Sequence, residues 1–181
     1  MTVTNLPINE VRPLDQHHER AAFSCGDTEL DRYLQNFAGQ NMRSRTAVVW
    51  VLTRPPSKTA IGYYTLTNTK IDVGPLPPEV TRKLKLKSSH HPGATLLGRF
   101  AISAEYQRQG LGELLLMDVF TRALEVSKIV SSVGVVLDAS SDDAKAFWKA
   151  MEFIPMGVRE DGMERFFLPM EYIENLLGGS D

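Results

Sequence analysis

Residues 96–128 carry the pattern that most constrains how this chain can fold. An apolar run from Leu96 to Ile102 is followed by glycines at 110 and 112. A continuous helical pattern then extends from Gly110 to about Lys128. Within that helix Asp118, Thr121, Arg122, Glu125 and Lys128 share one stripe and the rest is largely apolar, as expected of a helix lying against a sheet. The first backbone N–H groups of a helix have no intrahelical partner and carry the positive end of its dipole. Such an end binds phosphate readily, glycines let a ligand approach the backbone closely, and Arg108 can add charge. The Gly-x-Gly pattern by itself fits either a plain strand-to-helix corner or a phosphate cradle. It is neither Gly-x-Gly-x-x-Gly nor a Walker A loop, which argues against a nucleotide redox cofactor or a P-loop NTPase.

The remaining segments surround this unit with alternating strands and helices. Residues 9–14 read as a short edge strand limited by Pro13. Asp27 or Thr28 can cap a helix to about Gly39, with Leu30, Tyr33, Leu34 and Phe37 as its buried stripe. Ala47–Leu52 is a β-branched run, the turn Arg54-Pro55-Pro56-Ser57-Lys58 follows, and Ala60–Leu66 reads as the returning strand. Val133–Asp138 is a buried strand, and a helix capped by Ser141 or Asp142 runs through Met151. Ile154–Val158 and Arg165–Leu168 form a hairpin around Glu160-Asp161-Gly162, and a short helix follows Pro169. The order β-α-β-β-β-α-β-α-β-β implies an α/β fold with a mixed sheet and helices on its faces. A length of 181 residues suits one domain over residues 1–181, with a basic insertion loop at 74–95 and a C-terminal helix and tail at 170–181.

Charge is unevenly distributed. The formal net charge of −2 argues against a uniformly basic nucleic-acid binder. However, residues 1–103 hold 13 basic and 8 acidic side chains, whereas residues 104–181 hold 7 and 14. Residues 43–99 hold 10 basic residues against Asp72 and Glu79, a local +8 that includes Arg82, Lys83, Lys85 and Lys87. This excess fits a nucleic-acid-facing surface, a solvated face balanced by the acidic part, or a contact for an acidic partner. The single cysteine, Cys25, provides no disulfide framework. It stands near a helix start, where a thiol pKa can fall, but a buried structural thiol is the simpler reading. His90 and His91 are adjacent with no ligating residues nearby, so no metal site is expected. Neither a membrane-length apolar run nor a signal-peptide core is present, and a cytoplasmic location is the expectation.

Gln107-x-x-Gly110-x-Gly112 after a hydrophobic strand resembles the acyl-CoA pyrophosphate loop of the GNAT N-acetyltransferases, and the element order resembles theirs. The resemblance implies a mixed, mostly antiparallel sheet of six to seven strands with helices on both faces, and acetyl-CoA bound between the Leu96–Ile102 and Val133–Asp138 strands. It places the backbone of Phe100, Ala101, Ile102 and Ser103 along the pantetheine arm. It places Gln107, Arg108, Gln109, Gly110, Leu111, Gly112 and Glu113 around the pyrophosphate, and Phe147 on the cofactor. A backbone N–H near Ala101 or Ile102 is the expected oxyanion donor.

A narrower resemblance rests on Phe23-Ser24-Cys25-Gly26, Leu30-Asp31-Arg32-Tyr33-Leu34, Gly62-Tyr63-Tyr64-Thr65-Leu66, Leu97-Gly98-Arg99-Phe100-Ala101 and Arg165-Phe166-Phe167-Leu168-Pro169. These segments are similar to the GNAT toxins of bacterial toxin–antitoxin pairs. That resemblance implies acetylation of the α-amine of aminoacyl-tRNA, a ribbon-helix-helix antitoxin as partner and a homodimer.

One position departs from the group. Its Phe-Tyr pair, whose Tyr is the general acid for the departing thiolate, is Phe147-Trp148 here, and its Gly-Phe is Glu152-Phe153. An indole N–H donates a hydrogen bond but does not transfer a proton in this role. A thiol of pKa ~8.5 can leave as thiolate, and an α-amine of pKa ~8 is partly neutral without a base. Trp148 and Tyr64 are therefore the catalytic candidates, with Tyr106 as another donor. Arg99, a charge inside an apolar strand, is either ion-paired or set at the acceptor site. Acetylation of a protein or small amine, and a CoA-binding module impaired in catalysis, are the competing readings.

Overall fold

The computed structural model describes residues 8–87 and 89–178. Its strands are β1 (Glu10–Pro13), β2 (Val48–Thr53), β3 (Gly62–Lys70), β4 (Gly93–Ile102), β5 (Gly134–Ala139), β6 (Ile154–Val158) and β7 (Glu164–Pro169). They form one seven-stranded sheet in the order β1-β2-β3-β4-β5-β7-β6. The pairs β1–β2, β2–β3, β5–β7 and β6–β7 are antiparallel and β4–β5 is parallel. This is the mixed, mostly antiparallel sheet that the resemblance implies. The helices are α1 (Thr28–Arg32), α2 (Ala38–Ser44), α3 (Pro78–Lys83), α4 (Leu111–Ser127), α5 (Asp142–Ala150) and α6 (Met170–Gly178). The chain divides into two compact units, one of residues up to 67 with 99–119, the other of 68–98 with 120 onward.

In the first unit Leu14, Phe23, Tyr33, Leu34, Ala38, Val49, Val51, Ala60, Tyr63 and Ala101 form one apolar core. The Asp27 carboxylate caps α1 by accepting from the Glu29 and Leu30 amides, satisfying donors that a helix start leaves open. The helix does not stop near Gly39. It passes through a π turn at Tyr33–Phe37 into α2 and ends at Arg45, whose φ is 58°. Gly39 instead gives room to the Arg20 guanidinium, 3.2 Å from where a Cβ would stand, and that guanidinium donates to the Leu34 carbonyl at 3.2 Å. The wider π turn also rotates Phe37 off the buried stripe. Tyr33 and Leu34 are buried, whereas Phe37 is 42% exposed.

In the second unit the core is Ile71, Val73, Leu76, Ala94, Val136, Met156 and Phe167. Residues 74–95 are not a plain loop. Pro78 opens α3, Leu76 is buried, and Val80, Leu84 and Leu86 pack on that core, leaving Arg82, Lys83, Lys85 and Lys87 exposed. β4 already starts at Gly93. Gly134 is required where β5 and β7 meet, since a Cβ there would lie 2.3 Å from the Leu168 carbonyl oxygen. Asp138 on β5 accepts from Arg165 Nε and Nη2 at 2.8 Å each and from Arg159 Nη1 at 2.9 Å, tying β5, β7 and the end of β6. The tail at 179–181 lies outside the described residues.

Candidate active site

After β4 the chain makes a short 3-10 turn, Ala104–Tyr106, and enters α4 through residues 107–110. Arg108 and Gly110 both take positive φ, 58° and 78°. That geometry favours glycine, and an arginine holding it marks a locally specified loop. Leu114 N–H donates to the Gly110 carbonyl at 3.2 Å. The amides of Leu111, Gly112 and Glu113 therefore fall among those a helix start leaves without a backbone partner. Arg108, Gln109, Gly110 and Glu113 are exposed, while Leu111 is buried and anchors the helix. The loop thus offers an anion both helix-start amides and the Arg108 charge.

The Gln107 side chain is engaged within the protein. Its Nε2 donates to the Cys25 carbonyl at 2.8 Å and to the Ile102 carbonyl at 2.9 Å. Ala104 N–H and Ser103 Oγ both donate to the Ser24 carbonyl, at 2.8 and 3.3 Å. The Phe23–Gly26 segment is therefore the brace of the loop, a role its sequence did not disclose. Burial, assisted by Asp31, pushes the Cys25 thiol up to about 12.

The backbone of β4 explains which amides face a ligand. Ser103 N–H donates to the Ile61 carbonyl. Directions alternate along an extended strand, so the Ala101 amide also faces β3 while those of Phe100 and Ile102 face away from it. The Ala101 carbonyl oxygen stands 3.2 Å from a Cβ built on Gly62, as this alternation requires. Of the two candidate oxyanion donors, Ile102 has the suitable direction. β5 takes up only Thr95 and Leu96 of β4 in its ladder.

Tyr63 and Tyr64 occupy opposite faces of β3 and both have 0% exposure, because helices cover both faces of this strand. Tyr63 donates to the Leu30 carbonyl at 2.7 Å and stacks on Tyr33. Tyr64 donates to Asp118 Oδ2 on α4 at 2.6 Å and stacks on Trp50. Tyr64, a catalytic candidate by its sequence, is thus buried with its hydroxyl held by Asp118. Tyr106 lies under the Arg54 guanidinium, 5.3 Å from its ring centroid. Arg99 takes no carboxylate among the described residues, and its guanidinium lies over the Tyr33 ring at 3.6 Å. In the second unit Trp148 is 6% exposed and meets Phe147 and Phe153 edge to face at 4.9 and 5.2 Å. Its indole is a packed aromatic, and Phe153 supplies one wall. Among the described residues no group of three metal-ligating side chains converges.

The sheet order, the parallel pair β4–β5 and the glycine-containing entry to α4 are similar to what the resemblance to GNAT N-acetyltransferase toxins implies. No protein-family model matches the chain. The chain is 28% identical over 175 residues to a protein named probable toxin TacT from Sinorhizobium fredii (strain NBRC 101917 / NGR234), covering 93% of this chain and 94% of the relative. It is 25% identical over 142 residues to the tRNA-acetylating toxin of Mycobacterium tuberculosis (strain ATCC 25618 / H37Rv), covering 78% and 82%. Among solved structures, AtaT complexed with acetyl-methionyl-tRNAfMet aligns with a TM-score of 0.84 at 25% identity, over 94% of this chain and 99% of that one. A Tyr-to-Phe mutant of AtaT bound to the C-terminus of the antitoxin AtaR aligns at 0.79, 25%, 96% and 99%. AtaTR bound with AcCoA aligns at 0.77, 25%, 93% and 98%.

Proposed function

We propose that this chain is an acetyl-CoA-dependent N-acetyltransferase that acetylates the α-amine of aminoacyl-tRNA as the toxin of a toxin–antitoxin pair. The observation that carries the reading is the braced loop at the start of α4, in a chain similar over most of its length to tRNA-acetylating toxins. Acetyl-CoA supplies the activated acetyl group. The helix-start amides of Leu111, Gly112 and Glu113, with Arg108, bind its pyrophosphate. The Phe100 and Ile102 amides align the pantetheine and polarise the acetyl carbonyl. Gln107 holds the loop in the binding conformation. An α-amine needs little help from a base, because its pKa of ~8 leaves part of it neutral near pH 7.

Arg82 and Lys83, in the last turn of α3, and Lys85 and Lys87 just after it are exposed and fit the tRNA phosphates, and Arg99 belongs to the acceptor side. The partner is an antitoxin of ribbon-helix-helix type, the working form is a homodimer, and the site of action is the cytoplasm. One GNAT domain spans residues 1–181. No helix of the described residues is long and apolar enough to cross a membrane.

The test is steady-state acetyl transfer to a panel of aminoacyl-tRNAs, with CoA affinity measured separately. Transfer to charged but not deacylated tRNA supports the reading. Tight CoA binding with no transfer favours the second reading, a CoA-binding module. Trp148 gives that reading its weight, since no ionisable hydroxyl stands at this position. Charge reversal at the four basic residues should lower tRNA affinity and flatten its salt dependence.

A further inference from the structure

Phe23, Ser24 and Cys25 stand between α1 and the loop that opens α4, and all three of their carbonyls accept hydrogen bonds. On the loop side, Ala104 N–H and Ser103 Oγ donate to the Ser24 carbonyl at 2.8 and 3.3 Å, and Gln107 Nε2 donates to the Cys25 carbonyl at 2.8 Å. On the helix side, Gln35 Nε2 donates to the Phe23 carbonyl at 2.8 Å, and the Asp31 carboxylate accepts from the Cys25 amide at 2.7 Å. That amide and the Ser24 carbonyl belong to one peptide group. A trans peptide is planar, with its N–H and C=O pointing opposite ways. Asp31 therefore holds the far side of the same rigid plate to which the Ala104 turn is bonded. Asp31 is not needed to start α1, because Asp27 already caps it. It reaches six residues back instead, and a hydrogen bond to a carboxylate is stronger than a neutral one.

We propose that Asp31 is a positioning residue for cofactor binding, setting the direction of the Ser24 carbonyl through the Ser24–Cys25 peptide and so fixing the entry of the loop that holds the pyrophosphate. This deepens the functional reading above and rests on it. Without the carboxylate this peptide group can rotate about its flanking bonds. The Ser24 carbonyl then loses the fixed direction that the Ala104 N–H needs. The ligand must order the loop as it binds, which weakens binding. The amides of Leu111, Gly112 and Glu113 are untouched, so the loss falls on cofactor affinity and not on the chemical step.

The test measures CoA affinity of the full chain by calorimetry, alongside the kinetics of acetyl transfer. Asp31→Ala should weaken CoA binding ~10-fold and raise KM for acetyl-CoA by a similar factor, with kcat changed less than ~3-fold. Asp31→Asn keeps an acceptor oxygen in the same place and should stay within ~3-fold of wild type. Asp27→Ala removes only the cap of α1, so it should lower Tm and leave CoA affinity unchanged. Asp31→Ala combined with Gln107→Ala should weaken CoA less than the product of the single effects, since both act on one loop. In the wild type, CoA should slow hydrogen exchange at the Cys25 and Ala104 amides, a readout that needs no variant to fold. Circular dichroism checks the fold of each variant. Unchanged CoA affinity in folded Asp31→Ala overturns the proposal. So does an equal loss in Asp27→Ala, which makes a frayed α1 the cause, a fully additive double variant, or Cys25 exchange indifferent to CoA. A wild type that binds CoA and acetylates no aminoacyl-tRNA refutes the functional reading and leaves the positioning role standing. One that binds no CoA refutes both.

Discussion

Gln107→Ala removes the brace of the loop while leaving every backbone amide of that loop in place. The side chain makes two hydrogen bonds, at 2.8 and 2.9 Å, to carbonyls on separate segments. A neutral bond of this kind contributes about 0.5–1.5 kcal/mol net. Gln107 is an exposed residue, so water can reach the freed carbonyls and the low half of that range applies. The loss is then about 1–2 kcal/mol, or a Tm lowered by roughly 3–6 °C in a chain of this size. Ordering the loop would fall to the ligand, weakening CoA binding by up to ~10–30-fold. Gln107→Glu is the sharper variant, because it sets a carboxylate against two carbonyl oxygens with no proton to share. It should be less stable than Gln107→Ala at pH 7. Thermal melts and calorimetric CoA titrations read both effects. An unchanged Tm and CoA affinity in Gln107→Ala, or Glu no worse than Ala, would refute the brace.

Trp148→Tyr restores an ionisable hydroxyl where the toxin group has one. It should raise kcat at least ~100-fold, the low end of the ~10²–10⁴ a positioned acid supplies. It should cost about 1–2 kcal/mol of stability through the gap left beside Phe147 and Phe153. A lower Tm without a faster single turnover would place the acid elsewhere. Asp138→Ala leaves Arg165 and Arg159 without their shared carboxylate and should cost about 2–4 kcal/mol in denaturant unfolding. A loss under about 0.5 kcal/mol would make the clamp incidental. Cys25, with its thiol raised from 9.0 to about 12, should react with iodoacetamide at pH 8 at least ~100-fold more slowly than an unstructured thiol. Because the unfolded thiol ionises first, its contribution to stability is complete below pH 9 and falls between pH 9 and 12. Alkylation as fast as in a peptide would contradict its burial.

The legible parts of the fold were those with strong local signals. The apolar runs at β2, β4 and β5, the Ser141 cap and the glycine-containing entry to α4 all appear where their patterns place them. The misread parts depended on neighbours. Gly39 resembles a helix stop, yet it lies inside the helix because Arg20, distant in sequence, occupies its open side. Residues 74–95 look like a solvated basic loop, but Leu76, Val80, Leu84 and Leu86 find a core to pack against. Tyr64 is a catalytic candidate by its sequence, and its burial follows from α4 supplying Asp118.

The sequence by itself determined the order of elements and the helix-start loop. Each follows from short-range periodicity, capping and glycine placement. Only the tertiary structure decided what Gln107 holds, that Arg99 lies on Tyr33, and that Phe37 turns outward while Trp148 is packed in. Those outcomes depend on which residues distant in sequence share a face or reach a carbonyl. Side-chain periodicity describes one element at a time and carries no such information.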